Sequence, residues 1–304
     1  MNALTHSAAQ LNSTIVRFSI AAGFRVLSQL HPTAARHLGE RLFTTPPRHA
    51  RAYPAPAAAR RETVLSDAGH LAVWRSGPDD APAVLLVHGW GGVGAQLGRF
   101  VPALMQRGFR VVWFDLPGHG ASEGRQTTLP DLVRAIQAVA GVCGPFHAAI
   151  GHSLGAAAIA LAMRRGLPLE RAVLIGSPAS VREHMRGFAQ RLGLSSAVRD
   201  AIRNSIERRH QWSFDDIDRI EDLGRIATPT LLIHDDGDRH VASQESHRIA
   251  RCLPNAHLTT TYGLGHFRIL QHPAVTRLAA RFVAGEGASP PETLPGIPLP
   301  APIY

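Results

Sequence analysis

Phe146-His147-Ala148-Ala149-Ile150-Gly151-His152-Ser153-Leu154-Gly155-Ala156-Ala157 is the stretch on which the reading of the fold turns. Its first five residues are mostly apolar and read as a buried strand; the alanine-rich run that opens after Ser153 and continues to Arg165 reads as a helix. A serine at so sharp a strand-to-helix junction is held in a strained conformation that crowds its neighbours together. Glycines two positions before and two after, Gly151 and Gly155, relieve that crowding, and Ala156 and Ala157 keep the helix slim against the sheet. The helix N-terminus behind Ser153 favours negative charge developing there.

Working outward, strands and helices alternate. Ala83–His88, Arg110–Phe114, Phe146–Ile150 and Ala172–Gly176 read as strands, separated by helical patterns over Gln96–Arg107, Leu129–Ala140 and Ser153–Arg165. A hairpin over Glu62–Leu65 and Leu71–Arg75 precedes them. From Ser180 to Leu223 the pattern is helical and arginine-rich, without a strand. The alternation then resumes with Thr230–His234 (strand), Gln244–Cys252 (helix), His257–Thr261 (strand) and Ala274–Val283 (helix). Continuous apolar strands between helices predict an α/β fold, a mostly parallel sheet covered by helices on both faces, with an inserted helical cap over the sheet edge. The expected segments are 1–60 (N-terminal amphipathic helix and linker), 61–179 (first part of the core), 180–223 (cap), 224–285 (second part of the core) and 286–304 (a Pro-rich tail expected to be disordered).

The 304 residues carry a formal charge of +9, which invites a nucleic-acid reading. All 32 basic residues are arginines, however, scattered and not interleaved with aromatics, so codon composition accounts for them better than phosphate contacts, and no nucleic-acid partner is expected. Cys143 and Cys252 belong to no CxxC or Cys/His pattern and read as two free, buried thiols of a bacterial cytoplasmic protein; no metal or organic cofactor is expected. Leu11 to Leu30 reads as an amphipathic helix with Leu11, Ile15, Phe18 and Ala22 at helical spacing. Arg17 and Arg25 interrupt it, which argues against a membrane span, and no acidic residue precedes Glu40. A helix packed on the main domain, a transit peptide and an interfacial helix touching a membrane surface all fit.

A serine nucleophile needs an oxyanion site, a base and an acid. Backbone amides for the oxyanion come from the residue after the serine, Leu154, and from the loop after the first core strand, His88-Gly89-Trp90-Gly91-Gly92, where Trp90 is the expected donor. Acid and base should follow the serine in that order. Of His240, His247, His257, His266 and His272, only His266, in the Gly263-Leu264-Gly265-His266-Phe267 loop after the last strand, falls where ligands bind in open α/β sheets. Asp235, Asp236 and Asp238 all qualify by position for the acid.

His88-Gly89-Trp90-Gly91, Asp115-Leu116-Pro117-Gly118-His119-Gly120-Ala121-Ser122, Gly151-His152-Ser153-Leu154-Gly155 and Gly265-His266 together resemble the α/β-hydrolase superfamily over about residues 61–285. The resemblance implies the family's fold, Ser153 as nucleophile and His266 as base. It favours Asp238 as acid, because Asp238-Arg239-His240-Val241 matches the family's acid loop, with Ala242 where a proline is usual. It also makes the Asp115–Ser122 loop structural, with no catalytic part for Asp115, His119 or Ser122, and His88 and His152 scaffold or site-lining residues. The implied activity is cleavage of a carboxylic ester or thioester, a small-molecule acyl substrate, through an acyl-enzyme on Ser153. An acyltransferase or a carbon–carbon bond hydrolase would use the same triad, and a non-catalytic hydrolase-like binding protein would keep the fold. Arg182, Arg186, Arg191, Arg199, Arg203, Arg208 and Arg209 in the cap suit either a solvated face or an anionic substrate; Met185, Phe188, Leu192 and Leu194 suit either lid packing or an acyl pocket.

Overall fold

The structure is a computed structural model and describes residues 16, 18–47, 59–286 and 290–294. Along the chain run α1 (18–30), α2 (Pro32–Thr44), β1 (Arg60–Ser66), β2 (Gly69–Ser76), β3 (Ala83–Val87), α3 (Phe100–Met105), β4 (Arg110–Phe114), α4 (Leu129–Cys143), β5 (Phe146–His152), α5 (Leu154–Arg164) and β6 (Arg171–Ile175). There follow α6 (Val181–Leu192), α7 (Ser196–His210), α8 (Phe214–Ile217), β7 (Thr230–Asp235), α9 (Ser243–Cys252), β8 (Ala256–Thr261), α10 (Gly265–Arg268) and α11 (Pro273–Val283). Two compact units result, one from the residues up to Thr45 with Ser180–Asp218, the other from Pro46–Ala179 with Arg219 onward.

The larger unit is built on one eight-stranded sheet of order β1-β2-β4-β3-β5-β6-β7-β8. β1 pairs antiparallel with β2 and β2 with β4, and every later pairing is parallel, as the continuous apolar strands require. All five residues of β3 are buried. Alternate strand residues divide between the faces: Leu86, Trp113, Ile150, Ile175 and Ile233 pack into one core with α3 and α11, while Leu85, Val112, Ala149, Leu174 and Leu232 are equally buried on the other side, where α4 and α5 lie. Gln96–Arg107, read as one helix, is instead a 3-10 turn over Gly94–Leu97 followed by the short α3.

Two further expectations are corrected. Residues 290–294 do not behave as a disordered tail: the Thr260 amide donates to the Glu292 carbonyl at 2.8 Å, the Leu294 amide donates to the Thr260 carbonyl at 3.0 Å, and Thr293 bridges Thr260 in parallel. This covers the open edge of β8, where unpaired backbone would otherwise face outward. The rest of the expected tail beyond Glu286 lies outside the described residues. Cys143 and Cys252 are free but only half-buried, because each closes a helix, α4 and α9, at its solvent-facing end.

In the smaller unit, α1 and α2 pack with the inserted helices. The carbonyl of Ala21 sits where a side chain at Gly193 would stand, and a Cβ at Gly39 would come within 2.9 Å of Ile202 Cδ1. The ring of Phe43 meets Phe188 edge-on at 5.1 Å, and Glu40, buried, is held by both Arg36 and Arg209. Val198, Ile202 and Ile206, one turn apart, form the buried stripe of α7. The Asp218 carboxylate, just after α8, accepts from the Ser180 hydroxyl at 2.7 Å and from the Val181 and Arg182 amides at 2.7 and 3.1 Å, so it satisfies the open N-terminus of α6. The inward face of α1 is not the one expected. Leu11 and Ile15 lie outside the described residues, Phe18 is exposed and Ala22 half-buried, while Phe24 and Ser28 are the residues that pack.

Candidate active site

Ser153 lies between β5 and α5 with φ 53° and ψ −124°, a strained conformation for a non-glycine residue that costs about 1–3 kcal/mol. Its surroundings enforce it. A Cβ on Gly151 would stand 2.6 Å from Ala156 Cα, and one on Gly155 would stand 2.3 Å from the His88 carbonyl oxygen, both backbone atoms that cannot swing aside. The Ser153 amide donates to the Ile175 carbonyl at 2.8 Å, tying the turn to β6.

The structure brings Ser153, His266 and Asp238 together in one line. Ser153 Oγ is 2.9 Å from His266 Nε2, and His266 Nδ1 is 2.6 Å from Asp238 Oδ2. A carboxylate only accepts, so Nδ1 carries the proton and Nε2 is left to receive the one on Oγ. Such a hydroxyl can lose its proton to the imidazole as it attacks an electrophile. His266 sits in α10, a single helical turn where an open loop was expected.

The three candidate acids behave differently. Asp238 Oδ1 accepts the amides of His240 at 2.7 Å and Val241 at 3.0 Å, which leaves Oδ2 for His266. Burial opposes its ionisation, but hydrogen bonds from His234, His266 and the Val241 amide together outweigh burial and hold its carboxyl well below the usual carboxylate range. Asp235 is buried and accepts from Thr261 Oγ1 at 2.8 Å and the Leu264 amide at 2.9 Å, bracing the turn that leads to His266. Asp236 accepts the Ser243 hydroxyl at 2.9 Å. Neither touches the imidazole.

Trp90 and Leu154 lie on the two loops expected to supply amides. Leu154 opens α5, so its amide has no carbonyl one turn back, and among the described residues neither it nor the Trp90 amide donates to the protein. The loops touch: a Cβ on Gly89 would stand 2.8 Å from Ser153 Cβ and 3.2 Å from the His152 carbonyl oxygen.

Four histidines outside this line hold it in shape; the resemblance implied scaffold or site-lining parts for His88 and His152 and a structural loop for His119, and none for His234. His119 Nε2 accepts the Gly91 amide at 3.0 Å while its Nδ1 donates to the Pro117 carbonyl. Burial, against weaker opposition from nearby backbone, pushes its pKa down to about 4, so it stays the neutral acceptor the loop needs. His88 accepts the Leu116 amide on Nε2 and donates from Nδ1 to the Gly89 carbonyl at 2.7 Å. His152, fully buried, donates from Nε2 to the His266 backbone carbonyl at 2.8 Å; burial first, then the charge of His266, push its pKa down to about 3. His234 supports the acid loop, donating to the Val241 carbonyl while its Nδ1 meets Ser246 Oγ at 2.6 Å.

The Asp115–Ser122 loop is a brace as well. The Asp115 carboxylate accepts the Gly94 and Ala121 amides, each at 2.8 Å, and the Ser122 hydroxyl donates to the Asp115 carbonyl. Burial raises the Asp115 pKa against those two amides. Among the described residues no group of three or more His, Cys, Asp or Glu side chains is arranged to hold a metal ion, and no helix is long and apolar enough to cross a membrane.

Comparison with known proteins fits this geometry. The chain is 30% identical over 260 residues to the magnesium-chelatase 30 kDa subunit of Rhodobacter capsulatus, spanning 69% of this chain and 88% of that protein. It is 29% identical over 246 residues to the pimeloyl-[acyl-carrier protein] methyl ester esterase of Xanthomonas campestris, spanning 67% and 95%. The fold is shared with a carboxylesterase of Bacillus subtilis, at a TM-score of 0.58 and 21% identity over 76% of this chain and 93% of that one. A model of the alpha/beta hydrolase family matches residues 84–279, a span running from β3 through Ser153, Asp238 and His266 into α11, and the chain belongs to that family.

Proposed function

We propose that this chain is a serine hydrolase that cleaves a carboxylic ester or thioester through an acyl-enzyme on Ser153. The observation that carries the reading is the unbroken relay from Ser153 Oγ through His266 to Asp238, with contacts of 2.9 and 2.6 Å. In the first half-reaction Oγ bonds to the acyl carbon as His266 Nε2 takes its proton. The Trp90 and Leu154 amides donate to the oxyanion, which is worth about 3–4 kcal/mol for a well-placed donor. As the carbonyl re-forms, the bond to the leaving alcohol or thiol breaks and Nε2 returns the proton to it. Water then attacks the acyl-enzyme, giving its proton to Nε2, and the acid departs as Oγ regains a proton. Asp238 orients the imidazole and stabilises its charged form without itself taking a proton.

An esterase among the relatives supports this reading. A second reading, a non-catalytic accessory of a metal-chelating assembly, is favoured by one observation, the 30% identity to a magnesium-chelatase subunit. A fluorophosphonate probe separates the two. Wild type should be labelled, and Ser153→Ala and His266→Ala should not; equal labelling of wild type and Ser153→Ala, or none of wild type, sinks the hydrolase reading. A panel of p-nitrophenyl esters and acyl-CoAs, with and without an alcohol acceptor, then distinguishes hydrolase from transferase.

A further inference from the structure

We propose that the outward faces of α1 and α2 dock this chain on the surface of an anionic phospholipid bilayer. The first observation is where exposed large apolar side chains fall. Among the described residues there are twelve, and seven lie between residues 16 and 42; the other five are scattered over Leu65, Met105, Val142, Tyr262 and Phe267. Isolated exposed apolar residues are ordinary, but a concentration on one element is not.

The second observation is their spacing. Val16, Ile20, Val26 and Leu30 are 55, 48, 54 and 68% exposed and, at 100° per residue, share about a third of the helix circumference. Gly23 falls within the same arc and is also exposed. The buried Phe24 and Ser28 lie on the adjoining flank, and Phe18, 71% exposed, lies outside the arc. Helix α1 thus has two faces, one packed and one apolar without a partner among the described residues. On α2, Leu38 and Leu42 repeat the pattern one turn apart.

Charge selects the occupant. No Asp or Glu precedes Glu40, and Glu40 is itself buried between Arg36 and Arg209. Among the described residues the exposed charged side chains of α1 and α2 are Arg25, on the same side of α1 as the exposed Phe18, and Arg41, next to Leu38 and Leu42. An apolar face on helices whose exposed charges are arginines is what an interfacial helix presents to acidic headgroups. A second copy of the same face would set arginines against arginines, which disfavours self-association. Among the described residues no helix is long and apolar enough to cross a membrane, and Arg25 interrupts α1, so the helix would lie in the interface.

Flotation of the full chain with vesicles tests the proposal. Wild type should float with vesicles of phosphatidylcholine containing about a third phosphatidylglycerol, should float poorly with phosphatidylcholine alone, and should be released by high salt. Val26→Glu/Leu30→Glu should bind at least about tenfold more weakly, and Arg25→Glu/Arg41→Glu should bind more weakly at low salt, with the circular-dichroism melting curve unchanged. Failure of wild type to float, equal binding to neutral vesicles, or unaltered binding by the double glutamate variant overturns the proposal. So does a lipid-indifferent dimer that the same variant dissociates in sedimentation velocity.

Discussion

Asp238→Asn isolates the carboxylate from everything else in the relay. The replacement has two orientations, and the acid loop chooses between them. The His240 and Val241 amides both point at Oδ1, at 2.7 and 3.0 Å. Turning the new NH2 toward them would leave two backbone donors facing a donor, costing about 1–3 kcal/mol each. The amide oxygen therefore stays with the backbone, and the NH2 takes the place of Oδ2, 2.6 Å from His266 Nδ1. Two donors cannot share that contact, so the imidazole proton moves to Nε2, the atom that must accept from Ser153 Oγ. Loss of the correct tautomer should lower kcat about 10⁴-fold, equivalent to ~5.5 kcal/mol of barrier, with little change in KM. The assay is steady-state hydrolysis of p-nitrophenyl butyrate by wild type, Asp238→Asn and Asp236→Asn, with circular dichroism to show that each is folded. A residual kcat within about tenfold of wild type, or an equal loss in Asp236→Asn, would refute the assignment of the acid.

Two other predictions follow from contacts around the same turn. Gly89→Ala places a methyl 2.8 Å from Ser153 Cβ, so the loop carrying Trp90 must retreat from the serine. We expect kcat to fall about 100-fold on p-nitrophenyl esters, since displacements near 1 Å carry losses of that order; unchanged turnover would show that the loop yields without consequence. The second concerns acid stability. His119 and His152 are neutral in the fold, with pKa values pushed from 6.5 to about 4 and about 3. Because the unfolded chain binds protons first, their contribution is complete above pH 6.5 and is lost as the pH falls toward 4 and 3. The slope is about 1.4 kcal/mol per pH unit for each residue. His119→Gln should flatten the dependence of unfolding free energy between pH 6 and 4.5 in urea titrations; a wild-type profile already flat across that window contradicts it.

Much of this architecture was legible because it is written in short-range pattern. Apolar runs such as Ala83–Val87 are buried on both faces, and the serine at position 153 stands between glycines that no other residue type could replace. The loop after the last strand narrowed five later histidines to His266, and the match of Asp238-Arg239-His240-Val241 to the family's acid loop favoured Asp238 among three aspartates that position alone left open. Nothing local says that Asp235 will face Thr261 or that Asp238 will face His266. The resemblance implied a scaffold or site-lining part for His152 and a structural loop for His119, but the partners they brace, and any part for His234, were illegible because each joins segments far apart or depends on the shape of a loop. The packed face of α1 was misjudged because its partner helices enter the chain some 160 residues later, and periodicity cannot tell which of two mildly apolar arcs they will cover. The ordered stretch at residues 290–294 was missed because proline-rich composition hides a backbone that is bonded through the carbonyls of Pro291 and Glu292.

Asp218 has a consequence for how this chain could change over evolutionary time. By bonding Ser180 and the first amides of α6, it ties the last residue of the insertion to its first. β6 and β7, on either side of that insertion in sequence, already pair with each other directly. The 39 residues from Ser180 to Asp218 thus form a loop closed at its own base, which a lineage could lengthen, shorten or exchange as a cassette while the strand pairing stays as it is. Side chains of α2 depend on the cassette. Glu40 is buried against Arg209, so a chimera that received a foreign insertion while keeping the native α2 would leave that carboxylate without one of its two arginines. Inheritance, and protein engineering, should therefore treat residues 16–45 and 180–218 as a single transferable piece.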